Sequence, residues 1–215
     1  MPRILSVSTG RVEPRLTRKG NEGRTGIGNR PVDGPVRIGR FGLEGDESAY
    51  RSRELGDTAV HIFCVESYAR FRELAGRELP VPSFGENLTV EGYTEREACV
   101  GDVIRVGTAL LRVNQPVIRC SWPTVQSGEP RLTRWATQEG LTGFYLDVVQ
   151  EGVVQAGDVL EIVSRGPADW TVAAVNAVYY AKPAVRADVD AALALPELAD
   201  RFKADLRELL ERLPV

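Results

Sequence analysis

Thr58 to Val65 (Thr-Ala-Val-His-Ile-Phe-Cys-Val) is a nearly continuous apolar run. It has the length of a strand, and its lack of alternation suits a strand covered on both faces. Around it, up to about residue 165, short strand-like segments are divided by Gly and Pro. Ile4 to Ser8, Pro31 to Ile38, Val103 to Val106, Ala109 to Val113 and Val159 to Val163 are the candidates,. Gly107-Thr108 predicts a tight hairpin between the third and fourth of these. Only Glu66 to Arg77 changes period. Tyr68, Phe71, Leu74 and Ala75 recur there at three- and four-residue spacing, which predicts one short helix. Gly101-Asp102 and Gly157-Asp158 each precede a strand-like run. They read as two similar beginnings of strands in one barrel, because Gly permits the turn and Asp can bond the backbone beyond it,.

After Ser164-Arg165-Gly166-Pro167 the text changes. Alanine becomes frequent and helical spacing takes over, with helices predicted at Thr171 to Tyr180, Ala184 to Leu195 and Pro196 to Leu213. In the last of these Leu198, Ala199, Phe202, Leu206, Leu209, Leu210 and Leu213 share one stripe, while Arg201, Lys203, Asp205, Arg207, Glu208 and Glu211 fill the remaining circumference. Pro196 suits a first helical turn. The division is therefore a β-rich body over residues 1–165 and a small helical segment over 166–215.

Composition removes several functions. Among 215 residues, 27 Lys and Arg against 30 Asp and Glu leave a net charge of −3, which argues against binding nucleic acid,. His61 is the single histidine, so no site needing two can form,. Three cysteines, Cys64, Cys99 and Cys120, are too scattered for a disulfide framework or a Cys-x-x-Cys zinc site,. No leader-like N-terminus and no membrane-length apolar run is present, so the expectation is a reduced, cytoplasmic protein off the membrane.

Cys120 is the first candidate for chemistry. It follows a proline-broken strand end and neighbours Arg119, whose charge would favour a thiolate, which leaves metal binding and covalent catalysis both open. The plainer reading is a small buried hydrophobe, which spacing alone prefers for Cys120 and prefers more strongly for Cys64 and Cys99. Phe84-Gly85-Glu86-Asn87-Leu88 is the second candidate, a tight turn whose acid–amide pair could bond a ligand or simply hold the turn. Gly42-Leu43-Glu44-Gly45-Asp46 and Arg24-Thr25-Gly26-Ile27 are similar glycine loops without phosphate-loop spacing. His61, among Ala59, Val60, Ile62 and Phe63, reads as a core histidine sooner than as a base.

In this order, Arg24-Thr25-Gly26-Ile27, Gly42 to Asp46, Thr58-Ala59-Val60, Phe84 to Leu88, Gly101-Asp102, Gln115-Pro116, Cys120, Gly143-Phe144-Tyr145 and Gly152 to Asp158 resemble the MOSC family, named for the C-terminal domain of molybdenum-cofactor sulfurase. The tail after Trp170 resembles the three-helix appendage of its stand-alone YiiM-like branch. The resemblance implies a mostly β, barrel-like fold of short strands with a few helices and a small C-terminal helical segment. It further implies a molybdenum cofactor (molybdopterin) and reduction of N-hydroxylated compounds as a detoxifying activity. Carried over by position, Cys120 would be the molybdenum thiolate, with Glu86 and Arg119 as catalytic groups. Gly45, Asp46, Thr58, Gly85, Asn87, Gln115 and Tyr145 would bind the cofactor. The chain departs from the family where His-Gly-Gly and a later Lys are usual, having Arg53-Glu54-Leu55 and Thr58. It also reads Gln115-Pro116-Val117-Ile118-Arg119-Cys120 where Gln-Pro-Arg, one residue and Pro-Cys are usual. In an extended stretch positions 117 and 119 share a side, so Arg119 could stand in for that arginine.

Three functions therefore compete: a molybdenum oxidoreductase with Cys120 as ligand; a metal-free enzyme for a small organic substrate using Glu86, Asn87, Arg119, Tyr145 or His61; and a non-catalytic carrier of sulfur or cofactor. The expected partners are a small-molecule substrate and, for the first reading, a redox protein; a homodimer is left open.

Overall fold

The computed structural model describes residues 1–17, 19–49, 56–118 and 120–213. In chain order it contains β1 (Arg3–Thr9), β2 (Glu13–Leu16), β3 (Glu22–Thr25), β4 (Arg30–Pro31), β5 (Val36–Gly39), β6 (Gly42–Leu43), β7 (Val60–Cys64) and α1 (Val65–Ala75). There follow β8 (Leu88–Glu91), β9 (Val103–Val106), β10 (Ala109–Pro116), α2 (Trp122–Ser127), α3 (Leu132–Glu139), β11 (Phe144–Gln150), β12 (Gly152–Val154) and β13 (Leu160–Ser164). The chain ends with α4 (Val172–Tyr180), α5 (Arg186–Leu193) and α6 (Asp200–Glu211).

The main sheet has eight strands in the order β13-β9-β10-β11-β7-β8-β1-β4. β7 lies inside it, antiparallel to β11 and parallel to β8, and all five of its residues are buried. The reason is the alternation of its side chains. Val60, Ile62 and Cys64 enter the main core with Ile4, Leu88, Ile104, Leu111 and Phe144, whereas Phe63 joins a second cluster with Tyr68, Phe71, Phe84 and Leu132. Phe63 stacks on Phe84 at 4.0 Å between centroids, so α1 and the 84–87 turn are packed against the strand's outer face. Full burial of each such side chain contributes roughly 1.5–3 kcal/mol.

The sheet is tied at its ends. Ile4 donates its N–H to the Asp158 carbonyl (2.8 Å), Gly157 donates to the Ile4 carbonyl (2.8 Å), and Arg3 bridges Val159. The expected barrel-like body is thus a mixed sheet whose seam is a short bridge instead of a full strand pairing. The smaller β12-β5-β6 sheet and the β2–β3 hairpin lie beside it.

The two Gly-Asp sequences do precede neighbouring strands, β9 and β13, and Gly101 and Gly157 both have positive φ. Their aspartates differ. Asp158 accepts from the Gln155 N–H, while Asp102 is fully buried and bonded four times over.

Three local expectations need correction. Pro31 to Ile38 is two strands, β4 and β5, because Gly34 takes a left-handed φ of 78° between them. Pro196 does not open the last helix. It sits in a turn, and α6 begins at Asp200, where the Ala199 N–H is spent on the Asn114 carbonyl (3.1 Å). The hairpin β2–β3 and the helices α2 and α3 were not expected.

The three C-terminal helices form their own core, with Val175, Val189, Ala192, Leu198, Phe202 and Leu206 packed around Val100 of the body. Among the described residues no helix is long and apolar enough to cross a membrane.

Candidate functional site

β10 reaches its end at Pro116, which has no N–H to extend the ladder. Beyond it Val117 still donates to the Gly143 carbonyl (3.1 Å), and the chain then leaves the sheet for Ile118 and Cys120. Gln115 pairs with Tyr145 on β11, and Tyr145 pairs with His61 on β7. The ends of three adjacent strands therefore present Gln115, Tyr145 and His61 side by side. The His61 and Tyr145 rings are 5.1 Å apart and tilted by 49°.

A cleft of about 370 Å³ opens over these strand ends, a size usual for a small-molecule site. Its other walls come from Thr25, Gly26, Ile27 and Asn29, from Asp46 to Ala49, from Thr58, and from Phe84, Gly85 and Asn87. Cys120 faces the cleft and is exposed. Thr133 on α3 fixes its backbone by donating its hydroxyl to the Cys120 carbonyl (3.1 Å). Of the three thiols, only this one is accessible. Cys64 donates to the Tyr93 carbonyl, and burial together with nearby Glu95 pushes its thiol well up. Cys99 is also buried, and desolvation and Asp102 raise it.

Asn87 organises the wall opposite. Its Oδ1 accepts from the His61 N–H (3.0 Å), and its Nδ2 donates to Asp46 Oδ2 (2.9 Å) and, at 3.4 Å, to the Ser8 carbonyl. Asp46 Oδ1 in turn accepts from the Gly10 N–H (2.7 Å). Both carboxylate oxygens of Asp46 are thus engaged by the protein. Gly85 lets the 84–87 turn lie against Ile27, where a Cβ would come within 2.7 Å of that side chain.

Thr58, Asp46, Gly85, Asn87, Gln115, Tyr145 and Cys120 are all brought together around the cleft. Gly45 is exposed and stands just outside the lining. Glu86 does not reach the cleft. It is fully buried behind Asn87, where Oε1 accepts from the Tyr68 hydroxyl (2.5 Å) and Oε2 from the Phe84 N–H (3.0 Å). Its acid is turned toward Tyr68 and Phe84, where these bonds brace the turn. Burial and that carboxylate push the Tyr68 phenol well above its usual range. Glu86→Gln is expected to lower stability by about 1–3 kcal/mol, since an amide cannot accept from both donors. Thermal melts check this, and loss of activity with an unchanged melt would return Glu86 to the chemistry. Arg119 and the Arg53-Glu54-Leu55 stretch lie outside the described residues.

Sequence reasoning missed the contribution of the C-terminal helices. Tyr179 of α4 and Arg201 and Asp205 of α6 line the cleft. Their only signal was a position on the polar circumference of amphipathic helices, where charges ordinarily face solvent.

The donor set suits a metal that brings most of its own ligands. Among the described residues no three His, Cys, Asp or Glu side chains are grouped to hold a bare ion, whereas one accessible thiol faces a cleft large enough for a pterin.

A MOSC domain pattern matches residues 20–161, two-thirds of the chain. The chain belongs to the MOSC family. A YiiM-like 3-alpha helix domain pattern matches residues 170–213 of this MOSC protein, the segment that carries α4 to α6. It is 33% identical over 211 residues to the uncharacterized protein YflK of Bacillus subtilis, spanning 98% of this chain and 95% of that one. It is also 33% identical over 160 residues to protein YiiM of Escherichia coli, spanning 71% and 69% of the two. The crystal structure of YiiM from Geobacillus stearothermophilus superposes with a TM-score of 0.81 at 30% identity, covering 98% of this chain and 100% of that one. A protein named reductase from Gibberella moniliformis shares 27% identity over 183 residues, which is 83% of this MOSC chain and 32% of that longer protein.

Proposed function

We propose that this MOSC protein binds the molybdenum cofactor through Cys120 and reduces N-hydroxylated small molecules. The observation that carries the reading is the accessible Cys120 thiol facing a cleft lined with polar groups from distant parts of the chain. The reductase name of one distant relative agrees with it. A thiolate is a soft, strongly donating ligand, and its surroundings set the metal's affinity and potential. When bound, the metal would supply the two-electron step by which an N–OH group and two protons become N–H and water, with electrons from an external reductant. The protein's own residues have simpler tasks. Gln115, Asn29 and Thr58 offer donors and acceptors that orient a bound molecule. The Tyr145 hydroxyl and the His61 imidazole, adjacent in the wall, can hold and pass the protons.

A second reading, a metal-free enzyme on the same cleft, is favoured by charge. The described lining carries the carboxylates Asp46, Glu47 and Asp205 against the guanidinium of Arg201, which is not the balance expected around a phosphate-bearing pterin.

Molybdenum and pterin contents of protein made in a molybdenum-supplied host decide between them. The wild type is expected to carry both, and Cys120→Ala to lose nearly all of both. The melting temperature should barely move, because truncating an exposed side chain usually changes stability by less than about 0.5 kcal/mol. Wild-type protein free of both, or a variant that retains both, rejects the molybdenum reading.

A further inference from the structure

We propose that the C-terminal helices are part of the binding site and that Arg201 holds an oxyanion of the bound ligand. Arg201 lines the cleft one helical turn from Asp205, and its position is fixed from below. Its neighbour Phe202 is buried, with its ring 5.3 Å from that of Tyr179, and Leu206 is fully buried in the same core. α6 is joined to the sheet where it matters, by the bond from the Ala199 N–H to the carbonyl of Asn114, the residue before Gln115 in the cleft wall. α4 is joined to the β11 side by Asn176, whose Nδ2 donates to Thr142 Oγ1 (2.8 Å) and to the Gly140 carbonyl (3.0 Å). The guanidinium is therefore carried on a rigid support.

Among the described residues the Arg201 side chain has no ion pair within 4 Å and no hydrogen bond, although the cleft lining also carries Asp46, Glu47 and Asp205, and Asp57 lies close enough to feel its charge. Asp46 is committed to Gly10 and Asn87. The Glu47 carboxylate accepts from the Val12 N–H (2.9 Å). Asp57 and Asp205 feel the charge of Arg201, yet burial pushes both carboxyls up. An exposed guanidinium with its fork unspent at the edge of a cleft is suited to bidentate capture of phosphate or carboxylate. Two ligands could supply that group: the phosphate of the cofactor, or a phosphate on the substrate itself.

The test reads binding first. Inorganic phosphate is titrated into the full-length, metal-free protein and followed by ³¹P line broadening. Arg201→Ala should weaken binding by about tenfold or more, as expected for loss of a charge-assisted bidentate contact. Arg201→Lys should restore part of it. Arg207→Ala, an exposed arginine of α6 outside the cleft lining, should leave it unchanged. The pterin content of Arg201→Ala from the molybdenum-supplied host then separates the sources. If pterin is lost with the phosphate affinity, Arg201 serves the cofactor; if pterin is retained, it serves the substrate. Both results support the proposal. Phosphate that binds Arg201→Ala as tightly as wild type, or that fails to bind the wild type, overturns it. Because the titration needs no molybdenum, its failure is distinct from failure of the molybdenum reading.

Discussion

Asp102→Ala is expected to destabilise the protein by about 3–5 kcal/mol, the usual cost of stripping the acceptor from a buried charged network. Asp102 is fully buried. Its Oδ2 accepts from the Tyr93 hydroxyl (2.6 Å), the Cys99 N–H (3.0 Å) and Arg165 Nη1 (2.9 Å), and its Oδ1 accepts from the Gly166 N–H (2.8 Å). Removing the carboxylate leaves two backbone donors and a phenol without their acceptor. Arg165 adds little, since its side chain is half exposed and an exposed charge is screened. Burial and Asp102 raise the Tyr93 phenol far above its ordinary value, so it stays protonated and keeps needing a partner. For a chain of this length the loss corresponds to a drop of roughly 10 °C in melting temperature. Asp102→Asn, which keeps one acceptor, should fall between. A melt of Asp102→Ala within a degree or two of wild type would show that the network is not holding the body to the segment that follows β13.

Gly143→Ala should be the second large loss, at about 2–5 kcal/mol, combining left-handed strain with overpacking. Gly143 has φ 67°, and a Cβ there would lie 2.6 Å from the Ile62 carbonyl oxygen, 2.8 Å from His61 Nε2 and 2.8 Å from the Phe63 ring. Its N–H also donates to buried Glu95 (2.8 Å). The backbone cannot retreat without breaking that bond or the one from Val117, and His61 and Tyr145 would be displaced with it. Gly140→Ala is the control. Gly140 has nearly the same φ, 69°, but nothing lies within 4 Å of the added atom, so only the strain of about 1–2 kcal/mol remains. Paired urea or thermal melts give the difference. Equal effects at the two positions would mean that the contacts around residue 143 yield.

Much of the architecture was legible because apolar pattern is what burial selects. The Thr58 to Val65 run became the doubly covered β7, and the Val103–Val106 and Ala109 runs pair as the predicted hairpin. The pattern failed where elements hold little apolar surface. β2 (Glu-Pro-Arg-Leu) and β3 (Glu-Gly-Arg-Thr) have no alternation to read, and α2 and α3 are too short for a clear period. In the site, most residues singled out by the resemblance line the cleft, but their directions were not legible. Whether Glu86 or Asn87 points into the cleft depends on how the Gly85 turn meets Ile27, a contact between residues far apart in sequence. Arg201 and Asp205 were hidden for the opposite reason. A charge on an amphipathic helix looks the same whether it faces solvent or a cleft, and only the docking of α6 on Asn114 tells them apart.

Asn87 admits no conservative replacement, even though it belongs to a common turn. Aspartate would keep the acceptor for the His61 N–H but set one carboxylate against another at Asp46. Leucine matches the shape but strands the His61 N–H and takes one donor from Asp46. Glutamine carries the right groups one methylene too far. The wall of the cleft opposite Cys120 thus rests on the reach of a single short amide.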